Sequence, residues 1–238
     1  MTSEQSDRGS SDLSTAPGIL AHLRSLGSDH NRAGMSRYGI NVANACGVSV
    51  PELRRLAKLI GRDHALALAL WRTGCHEAQM LAAFIDEPSR VTARQMERWV
   101  LDLDSWDTCD QVCTDLFDRT SFAYDKAAEW AGREEEFVKR AGFALMAGLA
   151  VHDKAAPNEV FLPFLWLVAR EADDERNFVK KAVSWALRNI GKRNLALNAA
   201  AQHVADGLKL KESRSARWIG SDARRELASE KVQARLRG

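Results

Sequence analysis

From Ser49 onward the chain is a close succession of short helical segments, each with apolar residues recurring every three or four positions and separated from the next by only a few residues. Periodicity places helices over 12–26, 49–61, 63–72, 76–85, 92–103, 105–117, 123–131, 135–151, 158–171, 177–194, 195–210 and 215–236, with a Gly/Asn-rich break from Gly27 to Gly34. The second of these, SVPELRRLAKLIG, shows how sharply an end can be marked. Ser49 stands three residues before Glu52 as a capping box, Pro51 lies in the first turn, and Gly61 closes the helix. Alternation of the kind a strand requires is almost absent.

The breaks use Gly, Pro, Asp or Ser, as at Asp86-Glu87-Pro88-Ser89 and Ala156-Pro157, which predicts antiparallel neighbours. Pairs of such helices recur at roughly 35 to 45 residues, the spacing of HEAT-type repeats. No single short helix can bury a face alone. The expectation is an all-α chain of HEAT-like repeats stacked into a curved superhelical solenoid with a concave face, a compact irregular bundle being the alternative. Residues 1–16 read as a disordered tail and 17–238 as a single domain, since no linker-like composition follows residue 34. No apolar run is long enough for a membrane span and the first residues lack a signal peptide's apolar centre, so a cytoplasmic protein is expected.

Four cysteines, Cys46, Cys75, Cys109 and Cys113, are few for 238 residues and fit a reducing compartment; Cys109 and Cys113, one helical turn apart, read as small core residues. The six histidines form no pair at ligand spacing, so no metal is expected. There is no GxxxxGKS loop, GxGxxG turn, HExxH, zinc-deaminase signature or GxSxG elbow, which removes the commonest nucleotide-dependent, metallopeptidase and serine-hydrolase chemistries.

Charge is unevenly distributed. Residues 176–238 hold 15 Lys and Arg against 5 Asp and Glu, a net +10, whereas residues 1–175 hold 19 against 27, a net −8. A polyanion would meet the basic end. The helix NFVKKAVSWALRNIGKRN, Asn177 to Asn194, concentrates this signal. Phe178, Val179, Ala182, Val183, Ala186, Leu187 and Ile190 make its apolar face, while Trp185 lies about a third of a turn away beside Lys181, Arg188 and Lys192. An indole in a basic stripe either packs on a neighbouring helix or meets a nucleic acid.

Two other helices carry residues able to do chemistry. In DSWDTCD, Trp106 and Asp110 are i and i+4 at the edge of the apolar stripe, which sets an indole beside a carboxylate at the border of core and solvent. In EEEFVKRAGFALMAGLAV, Arg140 precedes a stretch that is apolar on nearly every side. It reads either as a salt bridge to a neighbouring acid or as a phosphate clamp.

Together SWDTCD, EFVKRAGFAL, RNFVKKAVSWALRNIGKRN and SARWIGSDARREL resemble the DNA alkylation repair family of AlkC/AlkD-type DNA glycosylases, from about Tyr38 to Leu227. The resemblance implies a superhelix whose concave face holds duplex DNA, and release of N3- and N7-alkylated purines with no metal or organic cofactor and without extruding the base. By motif, Trp106, Asp110 and Trp185 match the residues that meet the deoxyribose of the damaged nucleotide, and Arg140 matches the arginine on the nearby phosphate. Lys181, Arg188 and Lys192 would hold the DNA backbone. A monomer suffices for such a wrap. The competing readings are a DNA-binding module without catalysis and a protein-binding scaffold.

Overall fold

The protein is described by a computed structural model over residues 12–237. Of the tail expected over 1–16, residues 1–11 lie outside the described residues; from Asp12 the chain turns directly into a helix whose first amides are capped by the Thr15 hydroxyl, which accepts from Gly18 N. Every regular element among the described residues is helical, with fourteen α-helices in succession. No described helix is long and apolar enough to cross a membrane. The chain divides into two compact units, Met1–Glu87 and Pro88–Gly238, at the Asp86-Glu87-Pro88-Ser89 break, although composition marks no linker there.

The first unit contains α1 (Ala16–Ser25), α2 (Asp29–Arg37), α3 (Val50–Ile60), α4 (His64–Trp71) and α5 (His76–Ile85). Ile19, Leu23, Leu53, Leu70, Leu81 and Ile85 are fully buried and form its core. Helix α2 occupies the stretch where composition suggested a break. Its Asn and Gly content is poor for a helix, but Ser28 accepts from Asn31 N and Asp29 favours the first turn, so local capping outweighs propensity.

The second unit comprises α6 (Ala93–Leu101), α7 (Trp106–Asp115), α8 (Ala123–Ala131), α9 (Glu136–His152), α10 (Leu162–Glu171), α11 (Asn177–Gly191), α12 (Leu195–Lys209), α13 (Arg214–Leu227) and α14 (Glu230–Arg237). Helices α7, α9, α11 and α13 pack in sequence as one row, and α8, α10 and α12 form a second row behind it. The single helix expected over 215–236 is interrupted at Ala228, after which the Ser229 hydroxyl caps α14 by accepting from Val232 N.

Helix α9 is the pivot of this unit. Val138 and every residue from Arg140 to Ala150 are buried, which is what a helix apolar on all sides must do. Burial of a large side chain such as Phe143 contributes about 1.5 to 3 kcal/mol. Close approach to α8 depends on Gly142, where a Cβ would lie 2.5 Å from Ala131 N and 2.9 Å from the carbonyl carbon of Trp130. Behind α9, Phe117 sits between Trp99 and Trp130, with ring centroids at 6.1 and 6.0 Å.

Candidate functional site

Six of the seven residues singled out from the sequence lie on three consecutive helices of one row, α7, α9 and α11, and the seventh, Lys192, is the C-cap of α11. Ser105 occupies the N-cap position of α7 but makes no side-chain capping bond; instead the Asp107 carboxylate accepts from Thr108 N at 3.0 Å. Trp106 therefore opens the helix, and Asp110 follows one turn later on the same side. Both are half-buried, while Cys109 and Cys113 face the core at 0% exposure, as their spacing predicts.

Arg140 reaches Asp110 from α9. Its Nε donates to Asp110 Oδ1 at 3.0 Å and its Nη2 to Oδ2 at 2.7 Å, a bidentate pair. Nη1 donates to the Phe178 carbonyl in the first turn of α11 at 2.6 Å, and the guanidinium lies 5.9 Å from the Trp106 ring centroid. One side chain thus ties α7, α9 and α11 together at 5% exposure. Of the two roles open to Arg140 in the sequence, the structure realises the salt bridge. Three of its donors serve Asp110 and Phe178, and it is 5% exposed.

The electrostatics of the pair follow from where it sits. Burial raises the Asp110 carboxyl above its ordinary range, and the Arg140 guanidinium pulls in the opposite direction. For Arg140 burial acts downward, but Asp110 outweighs it and the net direction is up, so the guanidinium stays protonated. Two charge-assisted bonds to the guanidinium favour the ionised form against that burial. Each of its oxygens retains a lone pair beyond the one given to Arg140, and its side chain remains 16% exposed.

Trp185 lies on α11, seven residues beyond Phe178 on the same side of the helix, roughly 10 Å along its axis. It is half-buried, and its indole N–H donates to no acceptor among the described residues. No ring contact joins it to Trp106. The structure therefore brings Trp106, Asp110 and Arg140 into one cluster and sets Trp185 two turns along the adjoining helix.

The basic stripe is less uniform than its spacing suggests. Lys181 is exposed and enters no ion pair among the described residues. Arg188 donates through Nη1 to Glu226 Oε2 at 2.6 Å, and Lys192 donates to Glu226 Oε1 at 2.8 Å, so one carboxylate on α13 neutralises part of two expected DNA contacts. Asp222, one turn before Glu226, accepts from the Ser184 hydroxyl at 3.0 Å. Neither acid was singled out from the sequence, since both meet α11 only through space. Lys180 lies 5.6 Å from the ring of Trp218 on α13, a residue within SARWIGSDARREL.

A family model described as DNA alkylation repair enzyme matches residues 19–227. The chain is also similar to a solved structure described as a new family of proteins related to the HEAT-like repeat DNA glycosylases with affinity for branched DNA structures. That likeness has a TM-score of 0.76 at 19% identity and covers 93% of this chain and 96% of the other. It identifies the fold as all-α and HEAT-like. No curated protein matches the chain.

Proposed function

The chain belongs to the DNA alkylation repair enzyme family, and on that premise we propose that it binds duplex DNA and releases N3- and N7-alkylated purines by hydrolysing the N-glycosidic bond. The observation that carries this reading is the Trp106, Asp110 and Arg140 cluster: a partly accessible carboxyl group held in a fixed plane by a guanidinium beside an indole.

Alkylation at N3 or N7 makes the purine cationic, so the base departs neutral and needs no general acid. The catalytic burden falls on the positive charge that grows on the deoxyribose as the bond breaks. Asp110 supplies a preorganised negative charge to that sugar, and its remaining lone pairs can orient a water and take its proton as the oxygen bonds to C1′. Trp106 offers the electron-rich face of its ring to the same cation, and Trp185 would add a second indole. Arg140 acts here as a positioning residue, because a carboxylate anchored at both oxygens cannot rotate away. Lys181, with Arg188 and Lys192 once they part from Glu226, would hold the DNA backbone.

One finding favours a second reading, DNA binding without base release. Arg140 neutralises the charge that catalysis requires, and the similar solved structure is described as having affinity for branched DNA structures. A single experiment separates the two: incubation of methylated duplex with wild type and Asp110→Asn, with free purine measured by chromatography, alongside binding to plain duplex and to a four-way junction. Purine release that depends on Asp110 supports the glycosylase; no release with tighter junction binding supports the alternative.

A further inference from the structure

In the first unit, Cys46 from the loop before α3 meets Cys75 and Glu77 at the start of α5. Their ligand atoms all lie within 4.8 Å of one another. From this arrangement we propose a metal site for a borderline-soft divalent cation, with zinc as the best fit, held by the two thiolates and the Glu77 carboxylate, with a fourth position left for water.

The distances carry the proposal. Two sulfurs each about 2.3 Å from a tetrahedral zinc are about 3.8 Å apart, and a sulfur and a carboxylate oxygen are about 3.5 Å apart. Here Cys46 Sγ and Cys75 Sγ are separated by 3.9 Å, and Cys75 Sγ lies 3.7 Å from Glu77 Oε2. Two of the three edges are thus close to tetrahedral spacing, and the third lies within 4.8 Å.

The supporting groups are already in place. Glu77, 1% exposed, accepts at Oε1 from Gly47 N and Val48 N, at 2.6 and 3.2 Å, and at Oε2 from Cys46 N at 2.8 Å. Oε1 is thereby saturated, while Oε2 accepts from the Cys75 thiol at 3.7 Å, the contact that a cation would replace. Gly47 enables the turn with φ +85°, where a Cβ would lie 2.3 Å from the Ser28 carbonyl oxygen. His76 N donates to Asn44 O, and Ser28 N donates to Cys46 O, so both ends of the ligand loop are fixed independently of any ion. Amide bonds of this kind orient ligands at metal sites.

Charge and access also fit. Two thiolates, one carboxylate and a divalent cation sum to −1, and Arg24 and Arg32 line the same pocket as the two cysteines. Both cysteines line an open pocket of about 480 Å³ shared with Ser28 and Thr73, which gives an ion and its water a route in. Loading of the dithiol displaces two protons: two thiols and M²⁺ give the dithiolate complex and 2 H⁺. The sequence alone conceals the site, because its ligands combine a separation of 29 residues with a carboxylate that looks like an ordinary helix-start acid.

The test uses tag-free, fully reduced protein titrated with Co²⁺. One equivalent should bind with a thiolate-to-cobalt charge-transfer band and tetrahedral visible bands, release two protons, and be displaced by Zn²⁺. Cys46→Ser and Cys75→Ser should each remove about half of that band, and the double variant all of it. Cys109→Ala should change nothing. Zn²⁺ should also shield Cys46 and Cys75 of the wild-type protein from alkylation, read peptide by peptide in the mass spectrometer, which requires no variant to fold. No uptake by reduced protein, an oxygen-only cobalt spectrum, uptake unchanged in the double variant, or a Cys46–Cys75 disulfide that persists in reductant would each overturn the proposal. None of these readings depends on DNA or on base release.

Discussion

Arg140 grips both carboxylate oxygens of Asp110 across 30 residues of sequence, at 3.0 and 2.7 Å, and so decides how freely that carboxylate can act. Asp110→Asn keeps an acceptor for the guanidinium but removes the charge. Base release should fall by on the order of 100-fold, as for other losses of one preorganised electrostatic group, with duplex affinity nearly unchanged. Arg140→Ala should behave differently, since it strands a largely buried carboxylate and costs about 3 to 5 kcal/mol of stability. Denaturant melts of the two variants, measured beside purine release, distinguish charge from scaffold. Equal activity in wild type and Asp110→Asn would remove the carboxylate from the mechanism.

Trp185 is half-buried and makes no hydrogen bond or ring contact among the described residues, so its indole contributes to the fold only through apolar contact. Trp185→Ala should slow release by about tenfold, about 1.4 kcal/mol and between the worth of an exposed and a desolvated cation–π contact, and cost about 1 kcal/mol in stability. A fall in thermal midpoint of many degrees would make Trp185 a packing residue instead.

Much of this was visible in the sequence, and the misses share a cause. Periodicity located nearly every helix, because burying one face of a helix is a local pattern, and it set Trp106 beside Asp110 through their i, i+4 spacing. Helix α2 was obscured by its Asn and Gly content, and the break at Ala228 by an apolar pattern that runs on from Leu227 to Val232. The pairing of Arg140 with Asp110 was one of two open readings. That of Glu226 with Arg188 spans 38 residues and has no signature along the chain at all. Spacing identifies which side chains share a helix face, but which opposite charge approaches that face is settled by packing.

The contact of α8 with α9 yields a test of the fold itself. A methyl group at Gly142 would press on the backbone of Ala131 and Trp130, and backbone yields less readily than a side chain. Gly142→Ala should therefore destabilise the protein by about 1 to 3 kcal/mol despite better helix propensity. Unchanged or raised stability in urea would show that the two helices can separate without cost.

Acid should weaken the protein in a definable range. Burial alone would raise Glu171, Asp174 and Glu226, but hydrogen bonds and charges from Lys139, Arg170, Arg176, Lys192 and Arg188 leave all three below the ordinary carboxylate range. Depressed carboxylates contribute stability that is fully present above their unfolded values and lost as pH falls through the lowered folded ones. Asp110 and Asp118, raised chiefly by burial, have the opposite sign and offset part of that loss. Thermal midpoints followed from about pH 7 to about pH 3 should decline mainly below about pH 4.5, and Glu171→Gln should flatten the decline. A midpoint that falls only above that range would contradict the assignment.

Glu226 gives the sharpest test of where DNA lies. It holds Arg188 at 2.6 Å and Lys192 at 2.8 Å, so in the free protein these two cations are partly neutralised before any phosphate arrives. Binding along α11 must break or share those pairs. Glu226→Gln removes the competitor, while Asp222 still lies 3.5 Å from Arg188 and the partly exposed pairs are worth only about 1 kcal/mol or less to the fold. Duplex affinity should therefore rise. The slope of log affinity against log salt should steepen by about 1 for each freed cation that meets a phosphate. Arg188→Ala in the same background should cancel most of the gain. Identical affinity and slope for wild type and Glu226→Gln would place the DNA away from α11, and with it the proposed approach of Trp185 to the sugar.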